Sequence, residues 1–299
     1  MTAPVGLFGL GLIGTALAGR LRAAGYAVIG HDPDPACQRA FAATGAVVRT
    51  AEDIWAIAHI ILLAVYDTDQ VESVLATAPA NAKNCVIITS TCDPDRIAAL
   101  PARCPPRMQL VEAAISGASG EVTAGTAVFL VGGDADAVAT AAPLLAKLER
   151  TQHHVGPLGH GSRAKLAINL ILGLNRAALA EGLVFGKALG LAPDALLQIA
   201  RDSAAASSVM ATKGPLMVSG DFTPQGRIAQ SAKDFGLIID SARSCGQDLP
   251  FARTYLNMME DCIAAGEADF DNAAIIRAVQ RATTESANAL PSLPPDIVE

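Results

Sequence analysis

Short apolar runs alternate with amphipathic stretches through the first half of the chain, and the pattern then turns wholly helical. The runs "VGLFGL" (5–10), "AVIGHD" (27–32), "HIILLAV" (59–65), "CVIITS" (85–90), "QLVEAA" (109–114) and "AVFLVGG" (127–133) predict strands. Between the early ones, "GTALAGRLRAAG", "PACQRAFAATG" and "DQVESVLATA" predict amphipathic helices. Alternating β and α elements with Val/Ile/Leu-rich strands predict a mostly parallel sheet covered on both faces. After "HHVGPLGHGS" (153–162) no strand pattern returns. A long helix is expected onward from Ser162, with turns at 189–194, 219–226, 244–250 and 264–271. The expected boundary lies near 155–164, giving an α/β domain over 1–161 and an all-α domain over 162–299. The tail "LPSLPPDIVE" is expected to be extended or frayed.

Bulk properties narrow the class. A length of 299 residues is long for a single core, which supports the two-domain division. Lys and Arg number 22 against 29 Asp and Glu, a net charge of −7, and no basic run stands out. That argues against nucleic acid or an anionic membrane as the main partner. The longest apolar stretch, "LAINLILGL" (166–174), falls short of the roughly 20 residues that span a bilayer. Met1-Thr-Ala-Pro lacks the basic start of a signal peptide. Six scattered cysteines (37, 85, 92, 104, 245, 262) show no metal-ligand or disulfide spacing. The expectation is a cytoplasmic protein of ordinary thiols with no metal site.

Three segments can carry chemistry. The first is Gly9-Leu10-Gly11-Leu12-Ile13-Gly14, placed after a strand and opening a helix. Gly9 permits the tight turn, Gly11 lets the backbone approach a pyrophosphate, and Gly14 allows close packing. The helix N-terminus then offers unpaired N–H groups and a favourable dipole to the phosphates. A second strand ends in Asp32, where a carboxylate is expected on the ribose hydroxyls of NAD and would repel the 2′-phosphate of NADP. The other reading of Asp32 is a turn cap before Pro33. "HDPDP" (31–35) contains no arginine to receive a 2′-phosphate.

The second segment is "EAAISGASGEVTAGTAVFLVGGD" (112–134), where Gly117, Gly120 and Gly125 break a helical pattern. Ser116 and neighbouring backbone N–H groups here can bind a substrate carboxylate, or the stretch is simply a structural loop. The third is "GHGSRAKLAINLILGLNRAALAEG" (159–182). Lys165 and Asn169 stand i and i+4 on one helix face, and Arg176 at i+11 returns to nearly the same angle. Lys165 is either solvated at a helix start or a proton carrier.

Taken in order, "GLFGLGLIG" (6–14), "STCDP" (90–94), the 112–134 stretch, "VGPLGHGSRAKLAIN" (155–169), "ALAEGLVFGKALGL" (178–191) and "KDFGLIID" (233–240) resemble the β-hydroxyacid dehydrogenase family, of 3-hydroxyisobutyrate dehydrogenase type. The resemblance implies a Rossmann domain, a long linking helix and a helical C-terminal domain that forms a homodimer. It implies NAD-dependent interconversion of a 3-hydroxy acid and its 3-oxo acid or semialdehyde. In that reading Lys165 is the general acid/base, Asn169 orients the substrate, and Ser116, Gly117 and Ala118 form the substrate-carboxylate loop. Val65, Tyr66, Thr91 and Lys233 match cofactor-contacting positions. The chain departs from the family pattern at "AVYD" (64–67), at Ile88 or Thr89, and at Ala118, all positions that bear on substrate identity. Two alternatives stand beside it: a reductase of imines or bulky ketones on the same scaffold, and a non-catalytic nucleotide-binding module.

Overall fold

A computed structural model describes residues 3–289; the proline-rich tail lies outside the described residues. The chain forms two compact units, Met1–Asn169 and Leu170–Glu299.

The first unit carries eight strands: β1 (Val5–Phe8), β2 (Val28–His31), β3 (Val47–Val48), β4 (Ile60–Leu63), β5 (Cys85–Ile88), β6 (Gln109–Ser116), β7 (Val128–Gly133) and β8 (Thr151–Gly156). They form one sheet in the order β3-β2-β1-β4-β5-β6-β7-β8, parallel throughout except that β7 runs antiparallel to β6. The connecting helices are α1 (Leu12–Ala23), α2 (Pro35–Ala43), α3 (Ala51–Ile57), α4 (Thr68–Ala76), α5 (Pro94–Ala99), α6 (Ser119–Ala124) and α7 (Ala135–Leu148).

Alternate strand residues feed two cores, as a sheet with period-two side chains demands. On one face Leu7, Leu62, Ile87, Val111 and Phe129 pack with Leu17 and Leu21 of α1 and Leu144 of α7. On the other, Phe8, Ile61, Leu63, Val86 and Ile88 pack with Ile54 and Trp55 of α3 and Ile97 of α5. The six expected strands are all present. β3 and β8 were not expected: one is two residues long, and the other is a polar edge strand, "TQHHVG", largely exposed.

Helix α8 (His160–Ala188) begins in the first unit, and the division into units falls within it, further along than the expected boundary at Ser162. By length and composition α8 is apolar enough to cross a membrane, being far longer than the apolar run at 166–174. Its polar residues Lys165, Asn169 and Arg176 are nevertheless buried within the protein.

The second unit continues with α9 (Pro193–Asp202), α10 (Ser208–Thr212), α11 (Gly214–Ser219), α12 (Ile228–Ser244), α13 (Pro250–Ala264) and α14 (Ile275–Ala289). The breaks fall at the four expected turns, with two more around Ser203–Ser207 and Lys213. A buried ion pair between Lys213 and Asp271 (2.9 Å) ties this unit internally. Asp271 also accepts from the backbone N–H groups of Gln225, Gly226 and Ala273.

Candidate active site

In the α/β unit the sheet order reverses between β1 and β4, and the loops leaving these strands lie side by side. In such sheets ligands bind outside the carboxyl ends of the strands at this switch point. Gly9 turns there with φ +90°, and a Cβ on it would fall 2.4 Å from the Ala64 carbonyl oxygen of the neighbouring loop. A Cβ on Gly14 would fall 1.9 Å from the Gly9 carbonyl, so α1 must start close against its own loop. Gly11 differs from both: nothing stands within 4 Å of its would-be Cβ. No side chain caps α1 and no acid occupies its first turn, so the N–H groups of Leu12, Ile13 and Gly14 start a helix whose dipole the chain leaves uncompensated. A pyrophosphate fits this cradle by charge and by the open side of Gly11.

Asp32 makes the expected turn cap and, with its other oxygen, a second bond to the glycine loop. Its Oδ1 accepts from Asp34 N (2.9 Å) as a turn cap, and its Oδ2 accepts from Leu10 N (2.8 Å), clamping the glycine loop to the end of β2. The carboxylate is thereby oriented at the loop, with acceptor capacity remaining for a further donor.

The next two loops are stitched together by hydroxyls. Ser90 Oγ donates to the Val65 carbonyl (2.7 Å), and Thr68 Oγ1 accepts from Asp93 N (2.9 Å). These bonds hold Val65 and Tyr66, after β4, against Thr91, after β5. Tyr66 is exposed, and its backbone N–H donates to Gln70 Oε1 (2.9 Å). Ser90 and Asp93 lie inside the quoted "STCDP", but their linking role depends on a contact about 25 residues away in sequence, which no local pattern reports.

β6 ends at Ser116. Gly117 follows with φ +142°, and a Cβ there would press on Ala127 and Glu121 at 3.0 and 3.2 Å. Where glycines were expected to break the helix, α6 forms over Ser119–Ala124 and ends at Gly125 in the left-handed region. The Ala118 N–H is engaged by Glu121 Oε2 (2.6 Å). An internal carboxylate therefore occupies one of the donors expected for the substrate's carboxylate.

The start of α8 is built on Glu112, a buried residue in the middle of β6. Its Oε2 accepts from the N–H groups of Gly159 and Gly161, and its Oε1 from Ser162 N (2.9 Å) and Ser162 Oγ. Burial raises its pKa, and these donors oppose the rise without cancelling it. Leaving two or three such N–H groups unsatisfied would cost about 1–3 kcal/mol each, so Glu112 fixes where α8 begins. One turn on, Lys165 Nζ donates to Asn169 Oδ1 (2.6 Å), both side chains at least nine-tenths buried. The reading of Lys165 as a solvated helix-start residue is thus excluded. The sequence offers one signal for Glu112, a lone acid inside an apolar strand.

Two expected residues lie in the helical unit. Lys233, on α12, pairs with Asp234 (2.9 Å), and Arg176, on α8, donates to Tyr255 Oη (2.9 Å).

An uncapped helix N-terminus at the switch point of a Rossmann-type sheet binds a dinucleotide, and a buried lysine–amide pair in the same unit can move a proton; together they mark a nicotinamide-dependent oxidoreductase. Residues 4–156 match the family model for the NAD-binding domain of 6-phosphogluconate dehydrogenase. Residues 159–279 match that described as the NAD-binding region of NADP-dependent 3-hydroxyisobutyrate dehydrogenase. The chain is 28% identical to the L-threonate dehydrogenase of Cupriavidus necator, over 93% of this chain and 96% of that protein. It is 28% identical to the 2-hydroxy-3-oxopropionate reductase of Escherichia coli, over 92% and 97%. The crystal structure of a Salmonella typhimurium 3-hydroxyisobutyrate dehydrogenase superposes with a TM-score of 0.83 at 25% identity, covering 92% of this chain and 99% of that one. The chain belongs to the β-hydroxyacid dehydrogenase family, and it is an oxidoreductase acting on a CH–OH group.

Proposed function

We propose that the protein interconverts a small 3-hydroxy acid and its 3-oxo acid or semialdehyde, using NAD in preference to NADP, with Lys165 as general acid/base. The observation that carries this reading is the buried Lys165–Asn169 pair on a helix pinned by Glu112 to β6, the strand that ends in Ser116. The relatives named for L-threonate and 2-hydroxy-3-oxopropionate support a small hydroxy- or oxo-carboxylate as substrate.

The bound nicotinamide would supply the hydride acceptor for oxidation and the hydride donor for reduction. Gly9–Gly14 and Asp32 would hold the dinucleotide, and the loops at Val65–Tyr66 and Thr91 would meet its nicotinamide half. In oxidation the carbinol C–H bond breaks as hydride leaves, the hydroxyl O–H bond breaks as its proton passes to the neutral amine of Lys165, and C=O forms. In reduction the Lys165 ammonium returns that proton to the developing alkoxide. Asn169 Oδ1 fixes the Nζ by accepting from it, which aims the remaining nitrogen valences. Ser116 Oγ and the Gly117 N–H would grip the substrate's carboxylate, while the Ala118 N–H stays with Glu121.

Preference for NAD rests on the Asp32 carboxylate, held by Leu10 and Asp34, which would repel a 2′-phosphate. Exposed Phe185, Leu189, Ile199 and Phe251 on the helical unit support a homodimer, to be read from solution mass. Six thiols without disulfide spacing support a cytoplasmic setting.

The test is a panel of 3-hydroxyisobutyrate, glycerate, threonate and serine assayed for reduced-nucleotide formation with NAD and NADP, alongside reduction of a cyclic imine. Turnover of at least one hydroxy acid, faster with NAD, is expected. Activity on the imine alone would replace this reading with that of an imine reductase, and a strong preference for NADP would overturn the role given to Asp32.

A further inference from the structure

The last turns of α8 line a cavity of about 480 Å³, and every residue around it belongs to the helical unit. Buried Leu183 on α8, Met217 on α11 and Ile276 on α14 form its floor, with half-buried Val184 beside them. Small-molecule sites are commonly hollows of roughly 300–1,000 Å³ with apolar walls and a few placed polar groups. Lys187 and Gln280 supply the polar groups here. Each stands one turn beyond a floor residue on its own helix, Lys187 after Leu183 and Gln280 after Ile276, at the i, i+4 spacing that shares a face. Both are exposed, which sets them at the mouth.

Charge says what the mouth would meet. Among the described residues that line the cavity, Lys187 alone is ionisable. The other two lysines of the unit are already matched, Lys213 by Asp271 and Lys233 by Asp234. Lys187 has no carboxylate partner among the described residues. Its place in the last turn of α8 suits the helix dipole, but the dipole does not call for an apolar hollow at its foot. A second copy of the chain fits the hollow less well. Phe185 and Leu189, the exposed apolar residues of α8 that support a homodimer, lie about 150° around the helix from its cavity-lining residues.

We propose that this cavity binds a medium-chain monocarboxylate, its alkyl chain laid on Leu183, Met217 and Ile276 and its carboxylate held at the mouth by Lys187, with Gln280 beside it. The methylenes leave water for an apolar floor, and the ammonium donates to the carboxylate. The site belongs to the helical unit alone, apart from the glycine loop and Lys165 of the α/β unit. It stands whether or not the proposed function holds.

Calorimetric titration of the full-length protein with octanoate tests it. One octanoate per chain is expected, with a Kd below about 1 mM. Affinity should rise about tenfold from butyrate to hexanoate and again to octanoate, as buried methylenes require. Octanol should bind about threefold or more weakly than octanoate, and K187Q should lose that difference by weakening octanoate alone. Turnover of a hydroxy acid should be unchanged in K187Q. No binding at millimolar octanoate, the result expected if a second copy fills the cavity, overturns the proposal. So does octanol binding as tightly as octanoate, or K187Q binding octanoate as the wild type does. K165A locates the ligand: its octanoate affinity should equal that of the wild type. Loss of binding there, or displacement of octanoate by a hydroxy acid, would put the acid at the substrate site and overturn the assignment.

Discussion

Helices α1 and α8 both begin in the α/β unit, and their first turns are completed in opposite ways. At α1 the chain places glycine at the N-cap, no side chain on the exposed N–H groups and no acid in the first turn. At α8 it drives a carboxylate from the middle of β6 onto the N–H groups of Gly159, Gly161 and Ser162. The same dipole and the same orphan donors are present at both ends. A protein that satisfies them internally gains a fixed helix; a protein that leaves them open gains an anion seat. Here the fixed helix carries Lys165 and the open one starts at the glycine loop; in the function proposed, rigidity would serve the proton chemistry and openness the cofactor.

The largest expected effects come from closing the open end. Gly14→Ala should abolish dinucleotide binding and lower Tm, because its Cβ would overlap the Gly9 carbonyl, a backbone atom that cannot step aside. Gly11→Ala separates seat from scaffold. Gly11 has φ −71°, suitable for alanine, and no neighbour within 4 Å. Its Tm should stay within about 2 °C of wild type, while NADH affinity, followed by nucleotide fluorescence, falls about tenfold or more. Wild-type affinity in Gly11→Ala would mean that the phosphates do not approach this loop.

Breaking the closed end should have a smaller and different effect. Glu112→Gln keeps the shape but replaces one acceptor with an NH₂ group facing backbone donors. A loss of about 2–4 kcal/mol in stability is expected, with kcat reduced more than NADH affinity. If kcat is untouched at permissive temperature, Glu112 does not position Lys165.

Glu149, the residue before Arg150 at the head of β8, sharpens the contrast from the other side. It is a fully buried acid whose carboxylate oxygens make no hydrogen bond of normal geometry. Burial pushes its pKa up to about 7, with Arg20 and the Ala127 amide pulling back only partly. The unfolded chain releases this proton near the ordinary value of 4.5, whereas the folded chain holds it until about 7. Stability is therefore fully present below 4.5, declines as pH rises between those values, and stays reduced above them. Glu149→Gln should flatten the fall in Tm between pH 5 and 8; an unchanged slope would show that Glu149 does not carry this linkage.

Much of this was legible from residues alone, and what was not had a common cause. The six buried strands, the glycine loop and the Lys165–Asn169 pair are local patterns, written in period two, in a six-residue motif and in an i, i+4 spacing. β8 was illegible because an exposed edge strand has no apolar alternation to show. α6 was hidden because Gly125 ends a helix there instead of preventing one. Glu112 could be noticed as an acid in an apolar strand, but its partners lie 47 to 50 residues onward, and only the fold brings them together. The bond from Leu10 N to Asp32 was likewise illegible, since sequence cannot show that a carboxylate capping its own turn reaches 22 residues back to the glycine loop with its other oxygen.

The central claim is that the glycine loop seats the cofactor while Lys165 carries the proton, and Lys165→Ala tests it most directly. NAD affinity and turnover of the best 3-hydroxy acid should be measured on the same preparation. Turnover is expected to fall by about 10²–10⁴-fold while NAD affinity stays within about threefold, partially restored by an added primary amine. Turnover close to that of the wild type, with NAD still bound, would contradict the account.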